Sequence, residues 1–191
     1  MPSVSEIKGR TDLSRFDNSW FDSGVSKFKW AMWHFCNAVF FQNPLSVWIG
    51  GKRFLLRIFG AKIGNGVVIK QRINIKYPWH LEIGDNAWIG EGVWIENHVK
   101  VSIGANCCLS QEAMLITGNH NYSKSAFDLE VGEIILEDGV WIGARATVCP
   151  GIKAASHSVL TAGSIATKNM DAYTIYQGNP AIAIRIRQIT G

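Results

Sequence analysis

Aliphatic residues return along most of this chain at a step of six. Ile63, Ile69 and Ile75 are followed by Ile83, Ile89 and Ile95, then by Ile103, Leu109 and Leu115. A later block keeps the step through Leu136, Ile142, Val148, Ala154, Leu160 and Ala166. An amphipathic helix repeats about every 3.6 residues and a half-buried strand every second residue, so neither produces this spacing. A coil with three short flat sides does. Six residues per side place one aliphatic per side at the inner axis, and Gly or Asn follows where the chain turns with unusual dihedrals. Stacked at about 4.8 Å, successive coils join their sides into continuous parallel sheets. The pairs Ile63-Gly64, Ile83-Gly84 and Ile103-Gly104 recur every 20 residues rather than 18, which predicts a two-residue bulge at one corner. Five to six coils from residue 63 onward predict a prism roughly 25 Å long.

The register fails once, between Leu115 and Leu136, which are 21 residues apart. A loop must leave the prism there, and it carries Thr117-Gly118-Asn119-His120-Asn121-Tyr122. Breaks in a regular solenoid are where function concentrates. The chain thus divides into an aromatic, partly helical extension over 1–62, a solenoid over 63–170 with a protruding loop at about 117–133, and a tail over 171–191. A solenoid needs covered ends, and the two flanking segments are the natural caps. Within the extension, Phe28, Trp30, Trp33, Phe35, Phe40, Phe41 and Trp48 crowd residues 28–59, interrupted by Lys29, His34, Asn37, Gln42, Asn43, Pro44 and Lys52-Arg53. No apolar window of about 18 residues exists, so a spanning helix is not expected. Two readings remain open: a helix packed on the protein or a neighbouring subunit, or a peripheral element touching a membrane surface.

Composition adds exclusions. Hydrophobic residues make up 47% and charged residues 18%, which suits a packed core and not a disordered chain. Nineteen Gly without a G-X-Y period exclude collagen. The formal charge of +4 comes without a basic tract, so no nucleic-acid partner is expected. Cys36, Cys107, Cys108 and Cys149 show no zinc spacing, and two are adjacent, poor geometry for a disulfide. That favours a reducing compartment. Residues 1–6 offer no basic or apolar start of a secretory leader, so a cytoplasmic location is expected.

The Ile-Gly-x4 repeats, the looped-out Thr-Gly-Asn-His-Asn-Tyr, Val140-Trp141-Ile142-Gly143-Ala144, Pro150-Gly151, Ala162-Gly163-Ser164, Thr167-Lys168 and Gln177-Gly178-Asn179-Pro180-Ala181 together resemble the hexapeptide-repeat acyltransferases. The likeness is greatest to the colanic acid biosynthesis acetyltransferases, whose leader Asp12-Leu13-Ser14, Asn18-Ser19-Trp20 and Phe54-Leu55-Leu56-Arg57 also resemble. This resemblance implies an all-β fold, a left-handed parallel β-helix assembled as a homotrimer with active sites between subunits. It also implies an O-acetyltransferase that moves an acetyl group from acetyl-CoA to a sugar hydroxyl in exopolysaccharide or capsule biosynthesis, without a metal.

Such a transfer needs a base for the alcohol proton, a donor for the oxyanion, and a groove for the CoA tail. Of His34, His80, His98, His120 and His157, only His120 lies where the register breaks. The resemblance makes it the general base, and imidazole is the side chain that titrates near neutral pH. His80 and His98 read as surface or corner residues and His34 as packing. Trp141, beside the inward Ile142, must point outward, where it either packs against a subunit or, as the resemblance implies, lines the site. By the same likeness Gly143, Ala144, Ala162 and Gly163 meet the pantetheine arm, while Thr167, Lys168 and Arg185 lie near the nucleotide phosphates. Arg187 is a weaker candidate, set against a solvated basic tail.

Two departures separate the chain from the galactoside-type enzymes. Their Thr-Gly-His-Pro lacks the Asn119 present here, and the Asn that binds their acceptor aligns with Gly90. Glu91, Asn97 and Asn119 are the candidate replacements. The group that orients His120 is not identified by the sequence; Asp128 and Glu130 share its loop. Rival readings are N-acetylation of an amino sugar, a zinc hydratase, which needs three converging histidines, and a β-helix scaffold without catalysis.

Overall fold

The structure, a computed structural model, describes residues 9–190. The reading of residues 1–6 lies outside them. From Lys62 onward the chain winds as a parallel β-helix with three sheets. Sheet A stacks Lys62–Ile63, Leu81–Ile83, Val101–Ile103, Ile134–Leu136 and Lys153–Ala154. Sheet B stacks Val68–Ile69, Trp88–Ile89, Cys108–Leu109, Trp141–Ile142 and Val159–Leu160, and sheet C stacks Asn74–Ile75, Trp94–Glu96, Met114–Ile116, Thr147–Val148 and Ile165–Ala166. Every aliphatic of the six-residue series pairs with its counterpart in a neighbouring turn, as in Ile63 with Ile83 and Ile142 with Leu160. All fifteen are buried.

Each side contributes a second inner residue, two positions before the first. Val67, Ile73, Ala87, Val93, Val101, Cys107, Ala113, Val140 and Ala146 are buried in this way, and so are the polar Ser158 and Ser164. Small or polar residues in this row hid it from a count of large aliphatics. The glycines of the Ile-Gly pairs also act differently from the expectation. Their φ angles are not positive; the left-handed corners fall instead at Gly66, Asn86, Asn106 and Gly139 on one edge and at Arg72, Gly92, Glu112, Arg145 and Gly163 on another. At Gly84 a Cβ would come within 2.6 Å of the Ala105 nitrogen, and at Gly143 within 2.5 Å of the Ala162 nitrogen. These glycines let one turn lie on the next.

All irregularity sits on the edge between sheets C and A. The first turn passes it through a short 3-10 helix, Pro78–His80, the second through Asn97-His98-Val99, and the third through the long excursion. The excursion is a hairpin of Gly118–His120 antiparallel to Leu129–Val131. Thr117 anchors its base: the buried hydroxyl donates to the Glu96 carbonyl (2.8 Å) and accepts from the His98 amide (2.8 Å). Beyond residue 170 the solenoid does not stop. Thr174–Gly178 adds a parallel strand to Val159–Leu160 in sheet B, and Ala181–Ile186 folds back antiparallel to close it.

The opposite end presents carbonyls with no preceding turn to satisfy them. Helix α1 (Lys27–Cys36), a π-turn (Asn37–Phe41) and helix α2 (Ile49–Ile58) cover that end. The Trp33 indole donates to Ile75 O (2.9 Å), Arg53 to Val67 O (3.3 Å), and Arg57 to Ile63 O (2.7 Å) and Gly64 O (3.0 Å). Lys52, fully buried, donates to Ser46 O (2.7 Å) and Lys70 O (2.6 Å), and burial pushes its ammonium down to about 8.

Candidate active site

His120 ends the outgoing strand of the hairpin and faces Leu129 across it. At the loop tip, Phe127 takes a left-handed conformation (φ 56°), and its carbonyl lies 2.9 Å from His120 Nδ1. A carbonyl only accepts, so Nδ1 carries a hydrogen, and in the neutral ring the lone pair is on Nε2. The Phe127 ring stacks on the imidazole at 4.5 Å between centroids and 10° between planes, and Phe16 meets it at 5.5 Å. Phe16 arrives from the leader, which is strapped to the loop by Asp12 N–H to Ser125 O (2.9 Å) and by the Ser125 hydroxyl to Arg10 O (2.8 Å). The group orienting His120 is therefore a main-chain carbonyl. Asp128 pairs with Lys124 (2.9 Å) and Glu130 accepts from Asn121 (2.9 Å), so both loop carboxylates brace the hairpin.

Trp141 lies in sheet B, 45% exposed, with its indole N–H donating to the Ser110 hydroxyl (2.9 Å). Gly143-Ala144 and Ala162-Gly163 follow on the edge between sheets B and C, one turn apart. Gly143 N–H donates to Leu160 O (2.7 Å) and Gly163 N–H to Ala144 O (2.8 Å). The Ala144 and Ala162 amides have no protein acceptor among the described residues. Along the same edge a cleft of about 400 Å³ is lined by Trp88, Gly90, Glu91, Ser110 and Gln111. A side chain at Gly90 would meet Leu109 O at 2.6 Å, so the turns leave no room there for the Asn of the galactoside-type enzymes. Glu91 borders the cleft, held by Arg72 (3.5 Å) and Gln71 (3.2 Å).

The other candidates scatter. Thr167 and Lys168 are exposed at the far end of sheet C, on the edge shared with His120, and Arg185 is exposed on the returning strand beside Ile175. Asn119 is exposed and its side chain accepts from the His120 amide (2.8 Å). Asn97 is a correction. It is fully buried, out of reach of a ligand, and its amide bonds both the N–H (2.9 Å) and the O (2.6 Å) of Tyr77. Arg187 is not a loose basic tail: its guanidinium donates to Gly139 O (3.0 Å) and His157 O (3.1 Å). Burial pushes the Cys107 thiol up to about 11 and raises Cys108 and Cys149, so none is activated as a nucleophile. Among the described residues, no three His, Cys, Asp or Glu side chains converge as metal ligands.

Sequence reasoning missed Phe127, Phe16, Trp88 and Ser110. The aromatics of the leader carried a signal for Phe16, but nothing local announces that it meets residue 120.

No family model matches the chain. It is 35% identical over 176 residues to "Putative colanic acid biosynthesis acetyltransferase WcaF" of Escherichia coli strain K12, covering 92% of this chain and 97% of that protein. The chain belongs to the colanic acid biosynthesis acetyltransferase family. A galactoside O-acetyltransferase of the same organism is 26% identical over 134 residues, 69% of this chain and 66% of that one. A hexapeptide-repeat acetyltransferase from Vibrio cholerae, solved with acetyl coenzyme A, superposes with a TM-score of 0.77 at 19% identity, over 88% of this chain and 93% of that one. The solenoid of this acetyltransferase is thus the fold expected from the repeat.

Proposed function

We propose that this acetyltransferase moves an acetyl group from acetyl-CoA to a sugar hydroxyl during synthesis of a surface polysaccharide. The His120 ring carries the reading. With Nδ1–H committed to the Phe127 carbonyl, Nε2 is the atom available to take a proton. In the proposed step Nε2 removes the hydroxyl proton as the sugar oxygen forms its bond to the thioester carbonyl carbon. Main-chain N–H groups hold the resulting oxyanion. Collapse breaks the carbon–sulfur bond, and His120 returns the proton to the departing thiolate, leaving the acetyl ester and CoA. The acetyl group passes directly between the two substrates, in keeping with thiols whose pKa values are raised.

We place this site between subunits of a homotrimer. His120 and the Ala144–Ala162 edge flank sheet C on opposite sides, and six extended residues reach about 20 Å. One chain therefore offers two half-sites, and a neighbour's His120 edge facing the Trp141 and Glu91 edge would complete one. The outward rows support packing of sheets B and C. Sheet B shows Val68, Trp88, Cys108 and Trp141 and sheet C shows Trp94, Met114 and Ile165, whereas sheet A shows Lys62, Glu82 and Lys153 in ion pairs. In this assembly Ala144 and Ala162 would hold the pantetheine arm, Thr167, Lys168 and Arg185 the phosphates, and Glu91 and Asn119 the acceptor. The enzyme would work in the cytoplasm, where acetyl-CoA is made, at the inner face of the membrane.

The test is incubation with labelled acetyl-CoA and paired hydroxyl and amino sugars or glycans, read by mass spectrometry, alongside sedimentation for mass. Labelled O-acetyl product from a trimer is expected. Transfer retained by His120→Ala, or acetylation of amines alone, would overturn the reading.

A further inference from the structure

The cap formed by α1 and α2 has two apolar faces, and the solenoid uses one. Trp33, Cys36, Phe41, Leu56 and Phe59 pack inward into the core. Outward, Phe28, Met32, Phe35 and Val39 follow one another at helical spacing along a single stripe, with Phe28 76% and Phe35 62% exposed. The connection adds Leu45, Val47 and Trp48, exposed by 85%, 75% and 60%, and α2 adds Phe54 and Ile58. A soluble helix ordinarily turns a polar face to water, and a helix apolar all round is covered by something.

Charge says what covers it. The cap itself, residues 23–61, has five Lys and Arg and no Asp or Glu, although the whole chain carries only +4. Lys27 begins α1 beside Phe28, Lys29 lies over the Trp79 ring, and Lys52, Arg53 and Arg57 turn to main-chain carbonyls, so their charge backs the face from within. A second copy of the same face would bring cations against cations with no carboxylate between them. An anionic surface meets both the apolar stripe and its charged border. Among the described residues no helix is long and apolar enough to cross a membrane, which leaves an in-plane seat.

We propose that the outer face of the α1–α2 cap, Phe28 to Ile58, seats on the surface of an anionic lipid membrane. Aromatic and aliphatic side chains enter the boundary of the acyl region while Lys27 pairs with lipid phosphate and the other cap cations add their field. Behind the cap, a cleft of about 200 Å³ between α1 and sheet C is lined by Trp30, His34, Lys76, Tyr77, Trp94 and Glu96. Lys76 Nζ lies 3.0 Å from His98 Nε2, on the edge from which the His120 hairpin leaves. The seat lies at the end of the prism where the chain enters the solenoid, which suits a glycan acceptor still attached to a membrane lipid. That last clause rests on the acetyl-transfer reading; the seat does not.

Co-sedimentation of the full chain with mixed phosphatidylcholine–phosphatidylglycerol vesicles, against phosphatidylcholine alone, tests the seat. Binding to the mixed vesicles is expected, weakened by salt. The triple variant Phe28→Ser, Phe35→Ser, Trp48→Ser should bind at least about tenfold less, and Lys27→Glu should weaken the preference for the anionic lipid. Both should keep the wild-type melting temperature and the wild-type rate on a soluble acceptor. Failure of wild type to bind, equal binding by the triple variant, or a triple variant that changes only oligomeric state would each overturn the proposal. A vesicle result of either kind leaves the His120 chemistry to its own assay.

Discussion

Two imidazoles stand on the same edge of the prism, one turn apart, and only one suits the proposed role of base. His98 belongs to the second turn. Phe21 and Tyr77 meet its ring edge-on, Lys76 holds its Nε2 at 3.0 Å, and its buried Nδ1 has no partner. Burial, then the neighbouring Lys76, holds its pKa below the ordinary value of 6.5. His120 belongs to the third turn, where the chain leaves the solenoid. It has a carbonyl behind Nδ1, an aromatic plate on its face, and a second nitrogen left open. A base needs an acceptor behind it and space in front, and the difference between the two rings is a hairpin.

The largest effect expected from this contrast is on turnover. His120→Ala should lower kcat/KM by about 10³-fold or more, within the range general-base removal gives, with an unchanged melting temperature. His98→Ala should leave turnover within about threefold of wild type. If the two losses were equal, the assignment of roles would fail.

Phe127→Ala removes the stacked plate and puts Ala at a positive φ. We expect kcat to fall about tenfold with KM for acetyl-CoA unchanged, because orientation and not binding is disturbed. Phe16→Ala, one contact further out, should cost only a few-fold in kcat. Steady-state kinetics on both substrates would separate these from a general loosening, which would raise KM as well.

Asn97→Ala belongs to stability rather than catalysis. It strands the Tyr77 N–H and carbonyl in a buried corner, at a cost of about 2 kcal/mol or more in denaturant unfolding. An unchanged unfolding midpoint would show that the bulge does not depend on this amide.

The smallest effect is the pH dependence of folding. The folded His98 pKa is depressed, so the unfolded chain binds the proton more readily. The stabilisation is complete above the unfolded pKa near 6.5 and is lost as pH falls through the folded value. His98→Gln should flatten that acid limb of the melting-temperature profile, and an identical limb would show that another group sets it.

Comparing the cap with the solenoid explains what could be read ahead of the structure. The step of six was legible because each turn repeats the geometry of the one before, so a local pattern is enforced at every rung and the single failure of register stands out. The aromatic extension has no such repetition. Its helices are short, and their purpose on the inner side, with Lys52, Arg53 and Arg57 answering the open carbonyls of the first turn, depends on which edge they meet. Asn97 misled for the same reason. The sequence offers it as a candidate to hold the acceptor, and only the packing of Tyr77 shows both ends of its amide occupied.

By itself the sequence determined the coil, its sides, the loop and the imidazole it carries, because backbone stacking forces the same inner positions turn after turn. Tertiary structure decided how that imidazole is held. The Phe127 carbonyl reaches it through a left-handed turn seven residues on, and Phe16 reaches it from a leader more than a hundred residues earlier. Contacts between distant segments follow from the path of the chain in space, and no local pattern encodes them.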